Sequence, residues 1–524
     1  MISLEQLVNS LSEGYMTAQA LTIFMLFAAG FLFVRAVWDI SEEDVIWELL
    51  YSFPAGLAVF SVSAYLMLCL GIPYNTYTAA ASLAGVSMVC YIIYSRKRRA
   101  GNIKIDKMQN IAVFTGIAAA LALSFMLTSN FFRVALDNDS FFYFSAYPEA
   151  IVREGRYIRY FDVFLTDAAP VGSIIQTIPY LFGFSETFGI QYFLDADFLL
   201  IFSYALYTEL KKSLEGREAA AVTLAVSVFL LTSSAYLTTA KWVMAGVYFM
   251  STYFFCVYLG FRAESMERRP YGLMALFAVQ TAMMRHEGVA FIVMAVLTLS
   301  FLKGYRGKEL VFCYICPVTV AAALYYIRVF VILKVFPLYA FLTPVKAVLM
   351  LLSLVLSGLY LLFVRDRLGE RVRSLLPLLL PLLLLILNMG LMAFLSREYL
   401  GNLKMFYLNV RIGAGWGWFG YIAGVVFICL VIKAFVNKER YLLFFDSLMI
   451  SYVLCVLLVA FGRGDELRKG IGDSGNRVML TAVPLIVFAM TLRWFTGGAD
   501  PREGAGEPAE AAEISMEGED NEKS

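Results

Sequence analysis

Apolar windows long enough to cross a membrane recur from one end of this chain to the other, and that repetition restricts the fold before any motif is read. A helix rises about 1.5 Å per residue, so about 20 apolar residues cross the roughly 30 Å of hydrocarbon in a bilayer. Windows of this kind lie at 18–38, 47–70, 77–94, 110–129, 187–209, 219–238, 241–261, 310–333, 346–364, 374–395, 418–437, 441–461 and 478–496. Backbone in lipid has to satisfy its own hydrogen bonds, so each window is expected to be a helix. The chain is 60% hydrophobic over 524 residues, where soluble domains are roughly half apolar. An all-α polytopic membrane protein of about 13 spans is the expectation, with no room for a soluble domain of useful size.

One apolar stretch does not fit the span length. Between 273 and 302 two short halves meet at Arg285-His286-Glu287-Gly288, which predicts a helical hairpin whose halves cross only part of the membrane. Three ionisable residues inside an apolar segment are costly at membrane depth and usually mark a polar cavity. The plain alternative is a solvated hairpin tip with an internal Arg285 to Glu287 pair. His286 is the sole histidine, and one His does not make a zinc site of the usual kind.

Sidedness follows from the basic connectors. Ser95-Arg96-Lys97-Arg98-Arg99 is the strongest basic cluster, and the positive-inside rule puts it in the cytoplasm. Alternating the spans then places Lys211-Lys212, Arg262 to Arg269, Lys303 to Lys308, Arg365 to Arg373 and Lys438 to Arg440 on that same side. The N-terminus is expected outside and the C-terminus inside, in a plasma membrane. The stretch 497–524, acidic and rich in Gly, Ala and Glu, is expected to be a disordered cytoplasmic tail. Seven cysteines fall within apolar stretches, so a disulfide framework is not expected. Cys313-x-x-Cys316 has no second pair or nearby His and is expected to serve packing.

The long polar interval 130–186 is expected on the outer side. It opens with Asp137, Asn138 and Asp139, continues with the aromatic run Phe141 to Phe144, and reaches Gly155 after Ile151-Val152-Arg153-Glu154. A short amphipathic helix in the membrane interface, closed by Gly155, is predicted. Two carboxylates at i and i+2 could hold a divalent cation such as Mg or Mn, or one could act as general base while the other orients an acceptor. Alternatively Asp139 is a helix N-cap and Asp137 a solvated charge. Asp162 and Asp167 are weaker candidates for acceptor or metal. The apolar piece 173–184, with Pro179 inside it, is too short to cross and is expected to dip into the membrane.

Two further outer loops are basic. The loop 396–417 carries Arg397, Lys404 and Arg411 and ends near Trp416; the loop 462–477 ends in Arg477, seven residues before Pro484. Arginine forks suit lipid phosphate, although aromatic-belt anchoring and snorkelling explain the same residues. Asp195 and Asp197, two apart in the span 187–209, cannot share one helix face, so at most one is expected to line a cavity.

The acidic cluster, the aromatic helix with Tyr143 and Tyr147, and Gly155 together resemble the first extracytoplasmic loop of the GT-C superfamily of membrane glycosyltransferases. The likeness is distantly that of protein O-mannosyltransferases and of oligosaccharyltransferase catalytic subunits. The Arg285-x-Glu287-Gly288 turn and the Arg477 to Pro484 spacing resemble family features too, although the tyrosine usual after that arginine is Val478 here. The resemblance covers 110–496 as a catalytic membrane module, preceded by N-terminal helices and a basic connector in 1–109. It implies an inverting transfer of sugar from a polyprenyl-phosphate or polyprenyl-diphosphate donor to an extracytoplasmic glycan, lipid or protein acceptor. It also implies Asp137 or Asp139 as base or metal ligand, and donor phosphate held by Arg285, Arg477 or the basic residues Arg397, Lys404 and Arg411. His286, Glu287 and Asp167 would line the polar cavity. The rival expectation is a transporter or flippase of lipid-linked saccharides, which half-crossing helices and buried charges also suit. Polymerases and ligases of polysaccharide are disfavoured, since those carry their large outer loop late. No Walker, Rossmann or H-E-x-x-H pattern occurs, and nothing points to nucleic acid.

Overall fold

The computed structural model describes residues 15–38, 45–96, 116–118, 142–157, 165–166, 170–183, 188–233, 236, 245–266, 268–336, 342–369, 372, 375–408, 424–425, 428–429, 432, 440–462 and 481–496. Among these the secondary structure is helical, with no strand. Five helices are long and apolar enough to cross a membrane, and a sixth span results if one bent pair is counted as a single crossing.

The first three helices are α1 (Tyr15–Val37), α2 (Val45–Leu70) and α3 (Thr76–Arg96). They match the windows 18–38, 47–70 and 77–94 to within a few residues. The interval that follows holds α4 (Tyr147–Glu154), led in by a wider turn over Phe142–Ala146, and two short helices, α5 (Pro170–Ile175) and α6 (Ile178–Phe182). As expected, Gly155 closes α4, its N–H on the Ile151 carbonyl at 2.9 Å. The amphipathic pattern is realised: Tyr147, Pro148, Ala150 and Ile151 are buried, while Arg153 faces solvent. The segment 170–182 lies against the rest of the bundle. It is buried almost throughout, and α5 packs on α2, α4, α10 and α9.

Next come α7 (Phe188–Leu210), α8 (Gly216–Thr232) and α9 (Ala245–Ala263). The predicted hairpin is α10 (Tyr271–Met284) and α11 (Gly288–Leu299). At about 1.5 Å per residue these rise roughly 21 and 18 Å, both short of a full crossing. Helix α10 is nonetheless the centre of the bundle, in contact with α1, α2, α5, α9, α11 and α12. The remaining elements are α12 (Gly307–Ile332), α13 (Pro344–Arg367), α14 (Leu376–Phe394), α15 (Ser396–Leu408), α16 (Arg440–Gly462) and α17 (Val483–Thr496).

The loop expected at 396–417 differs from its reading. Its first part is the helix α15, bent 119° from α14. The Tyr399 hydroxyl donates to Asn388 Oδ1 at 2.6 Å, and Asn388 Nδ2 reaches the Leu454 carbonyl at 3.2 Å. These polar side chains fix the bend by satisfying one another inside the α14–α16 contact.

The connectors sort into two ends. At one, Arg365 donates to the Ser300 carbonyl at 2.9 Å, to Leu302 at 2.8 Å, and to Tyr305. Arg269 there bridges the Gly304 carbonyl at 2.6 Å and Glu309 Oε2 at 2.8 Å. At the other end the Tyr74 N–H donates to the Gly155 carbonyl at 2.8 Å, Tyr74 and Thr177 hydroxyls lie 2.6 Å apart, and Thr76 donates to the Leu181 carbonyl at 2.8 Å. The basic connectors 262–271, 300–309 and 365–367 thus share one end, and the segments 71–76, 155 and 177–181 share the other.

Seven cysteines are free, with Cys313 buried and Cys316 exposed on the same helix. The readings placed on 119–141, 158–164, 167–169, 409–423, 463–480 and 497–524 lie outside the described residues.

Candidate functional site

Helix α10 stops at Met284, where Arg285 takes an extended conformation (φ −142°, ψ 152°). The chain turns within three residues, with the Gly288 N–H on the Arg285 carbonyl at 2.9 Å. Only glycine fits the start of α11: a Cβ on residue 288 would stand 2.5 Å from the Ala282 carbonyl oxygen. That close approach turns the Arg285 and Glu287 side chains together, Nε to Oε1 at 2.7 Å, with 15% and 5% of the side chains exposed. His286 is buried as well. The turn is therefore a buried charged knot in a hydrophobic bundle and not a solvated tip. Such a knot is tolerated where its charges are paired and face a polar interior.

Three distant parts of the chain meet it. The His286 ring lies 6.2 Å from the ring of Tyr325 on α12. Tyr325 in turn packs on Tyr157 at 6.0 Å and Tyr65 at 6.1 Å, and its hydroxyl donates to the Leu165 carbonyl at 2.6 Å. The next carbonyl, that of Thr166, accepts from the Leu342 N–H at 3.0 Å. The chain is thus pinned against the turn at Leu165 and Thr166, immediately before Asp167. Burial pushes the Tyr157 phenol well above its ordinary range, so it stands as a neutral donor beside this cluster.

On the other flank Tyr452 of α16 stacks on Phe291 at 4.5 Å. Tyr452 lies in the field of Arg285 and Glu287, with its hydroxyl close to Thr481. Thr481 is buried and sits four positions after Arg477. Thr481, two residues before α17, therefore lies on the same side of the bundle as the turn.

Arg285, His286 and Glu287 are brought together. Arg397 and Lys404 are both exposed on α15, which packs on α14 and α16. Asp137, Asp139, Asp167, Arg411 and Arg477 lie outside the described residues. Among the described residues no group of three His, Cys, Asp or Glu is placed to hold a metal.

Asp195 and Asp197 both have carboxylate oxygens inside the bundle. Asp195 accepts from the buried Tyr236 hydroxyl, and Asp197 Oδ2 is sealed from solvent without a hydrogen bond. Helix α7 has neighbours on several sides, namely α2, α8, α9 and α17, so opposite faces are covered at once. Sequence reasoning missed Tyr65, Tyr157, Tyr325 and Tyr452. Nothing local marks them among 31 tyrosines, although charges within apolar helices could have flagged Asp446 and Arg493, a buried pair with Nη2 to Oδ2 at 2.5 Å.

No protein-family model, curated protein or solved structure matches this chain.

Proposed function

We propose that this chain is an integral membrane glycosyltransferase of GT-C type, moving a sugar from a polyprenyl-phosphate or polyprenyl-diphosphate donor to an extracytoplasmic acceptor. The observation that carries the reading is the convergence on one buried turn: Arg285, His286 and Glu287, the outer interval at Leu165 and Thr166, and the entry to α17 at Thr481. A transferase needs a cation near the leaving phosphate and a carboxylate near the acceptor. The turn supplies the first; the acidic interval that leads to it supplies the second through Asp137 or Asp139. In this reading the base takes the acceptor's proton as its oxygen attacks the anomeric carbon. The carbon–oxygen bond to the phosphate breaks with inversion, and Arg285, with Arg477 or the basic residues of 396–417, meets the charge that develops.

The reading places about 13 spans plus the hairpin across a plasma membrane, with the basic end in the cytoplasm, the N-terminus outside and the C-terminus inside. One observation favours a second reading. Two half-length helices that meet at buried charges are also how carriers build a site at membrane depth, so a flippase of lipid-linked saccharides is the alternative. Purified protein in vesicles separates the two. Given a polyprenyl-phosphate sugar on the outer leaflet and an acceptor outside, a transferase forms a glycosylated product without moving lipid between leaflets. Translocation of the lipid without product would overturn the proposal.

A further inference from the structure

Five arginines that are buried or half-buried among the described residues pair with a carboxylate: Arg35 with Glu48, Arg269 with Glu309, Arg285 with Glu287, Arg365 with Asp366 and Arg493 with Asp446. Arg328 breaks the pattern. It is half-buried near the end of α12, one turn beyond Tyr325, and among the described residues it has no carboxylate partner. Its Nε is sealed from solvent without a hydrogen bond. One guanidinium nitrogen is therefore held inside the protein, and Nη1 lies against the connector between α2 and α3. Gly71, in the connector between α2 and α3, has φ 76°, and a Cβ there would stand 3.1 Å from Arg328 Nη1. The guanidinium therefore lies close against the backbone of this turn.

We propose that Arg328 is an anion site at the lipid boundary, and that it takes the phosphate of a membrane lipid. Its neighbours on the last turn of α12, Ile327, Val331 and Ile332, are exposed and apolar, as a surface along which a lipid chain lies would be. The guanidinium fork then meets the phosphate with paired donors. On the inner side, Tyr325 separates this position from His286 by one ring contact. Where the phosphate belongs to the sugar donor, the inference rests on the function proposed above. Where it belongs to an ordinary anionic phospholipid, the inference stands without it.

The test is binding of two probes to purified protein, a polyprenyl monophosphate and phosphatidylglycerol, with the uncharged polyprenol as reference. Arg328→Gln should weaken polyprenyl monophosphate at least tenfold and leave polyprenol unchanged, while the exposed Arg217→Gln leaves both unchanged. Arg328→Lys keeps the charge without the fork and should fall between. An equal loss for phosphatidylglycerol would assign the site to lipid phosphate in general; a loss confined to the polyprenyl probe would assign it to the donor. Should Arg328→Gln fail to fold, a weakened Arg328→Lys with wild-type thermal stability carries the same conclusion. Wild-type affinity for both anionic lipids in a folded Arg328→Gln protein, or no binding by the wild type, would overturn the proposal. If binding responds to Arg328 yet no protein transfers sugar, the enzymatic reading fails and this one does not.

Discussion

The Tyr325 hydroxyl donates to the Leu165 carbonyl at 2.6 Å across 160 residues of sequence. One side chain thereby holds the segment at Leu165 against the helix that faces His286. Tyr325 is 1% exposed, so the carbonyl has no water to replace the donor if it is removed.

Tyr325→Phe keeps the ring and its contacts with Tyr65, Tyr157 and His286 but orphans the Leu165 carbonyl. A buried acceptor left without a partner costs about 1–3 kcal/mol. We predict a modest fall in thermal midpoint and faster amide exchange in peptides covering 165–166. On the proposed function, turnover falls more than donor affinity. Unchanged exchange there would show that the interval is held by other contacts.

Asp446 and Arg493 each have 2% of the side chain exposed, with Nη1 to Oδ1 at 3.0 Å beside the 2.5 Å contact. Breaking such a pair leaves an uncompensated buried charge, at about 3–5 kcal/mol. Asp446→Ala alone is therefore predicted to be strongly destabilising in a detergent melt. The double change Asp446→Leu with Arg493→Met, which removes both charges, should recover most of the loss; if it melts as low as the single variant, the pair is not the source.

How much of this was legible in the sequence depends on whether the signal is local. Val45–Leu70 and Thr76–Arg96 follow directly from apolar runs bounded by polar connectors. The hairpin follows from two runs too short to span, and Gly155 from its place after an amphipathic stretch. Arg365 was legible only as a connector charge. In the fold it is 2% exposed and caps carbonyls of residues 300, 302 and 305. Those partners are some 60 residues away and become visible only when α11 and α13 are packed. The bend after Phe394 was missed because Tyr399 and Asn388 pair with each other across it, and Asn388 also reaches α16, contacts that exist only once the two helices have folded back on one another. At the site, the charges of the turn stood out against an apolar background. The tyrosines around them did not, because an aromatic in a membrane helix reads the same whether it meets lipid or another ring.

On the proposed function Arg285 contacts the donor phosphate while it holds Glu287. Removing a charged hydrogen-bond donor to phosphate costs on the order of 1.5–3 kcal/mol, a factor of roughly ten to a hundred or more in affinity. Arg285→Ala is expected to lose that much donor binding and some stability, because Glu287 is then uncompensated; Arg477→Ala is expected to lose binding alone. Wild-type donor affinity in both variants would move the phosphate to the 396–417 segment.

The basic end of the bundle is predicted to face the cytoplasm. With native cysteines replaced, Arg98→Cys should react with an impermeant maleimide only after lysis, and Asn138→Cys in intact cells. The reverse pattern would invert the topology and remove the outer acceptor from the account.

The most direct test of the central claim is sugar transfer by purified Asp137→Asn and Asp139→Asn proteins, measured with a polyprenyl-phosphate sugar beside a thermal melt. Asparagine keeps the size of the side chain and caps a helix about as well as aspartate, but it takes no proton and is a poorer metal ligand. The account predicts that at least one variant melts as wild type does while its turnover falls by about 10² to 10⁴. Near wild-type transfer by both would contradict it, leaving the acidic cluster a structural feature and the chain without the base that the proposed reaction requires.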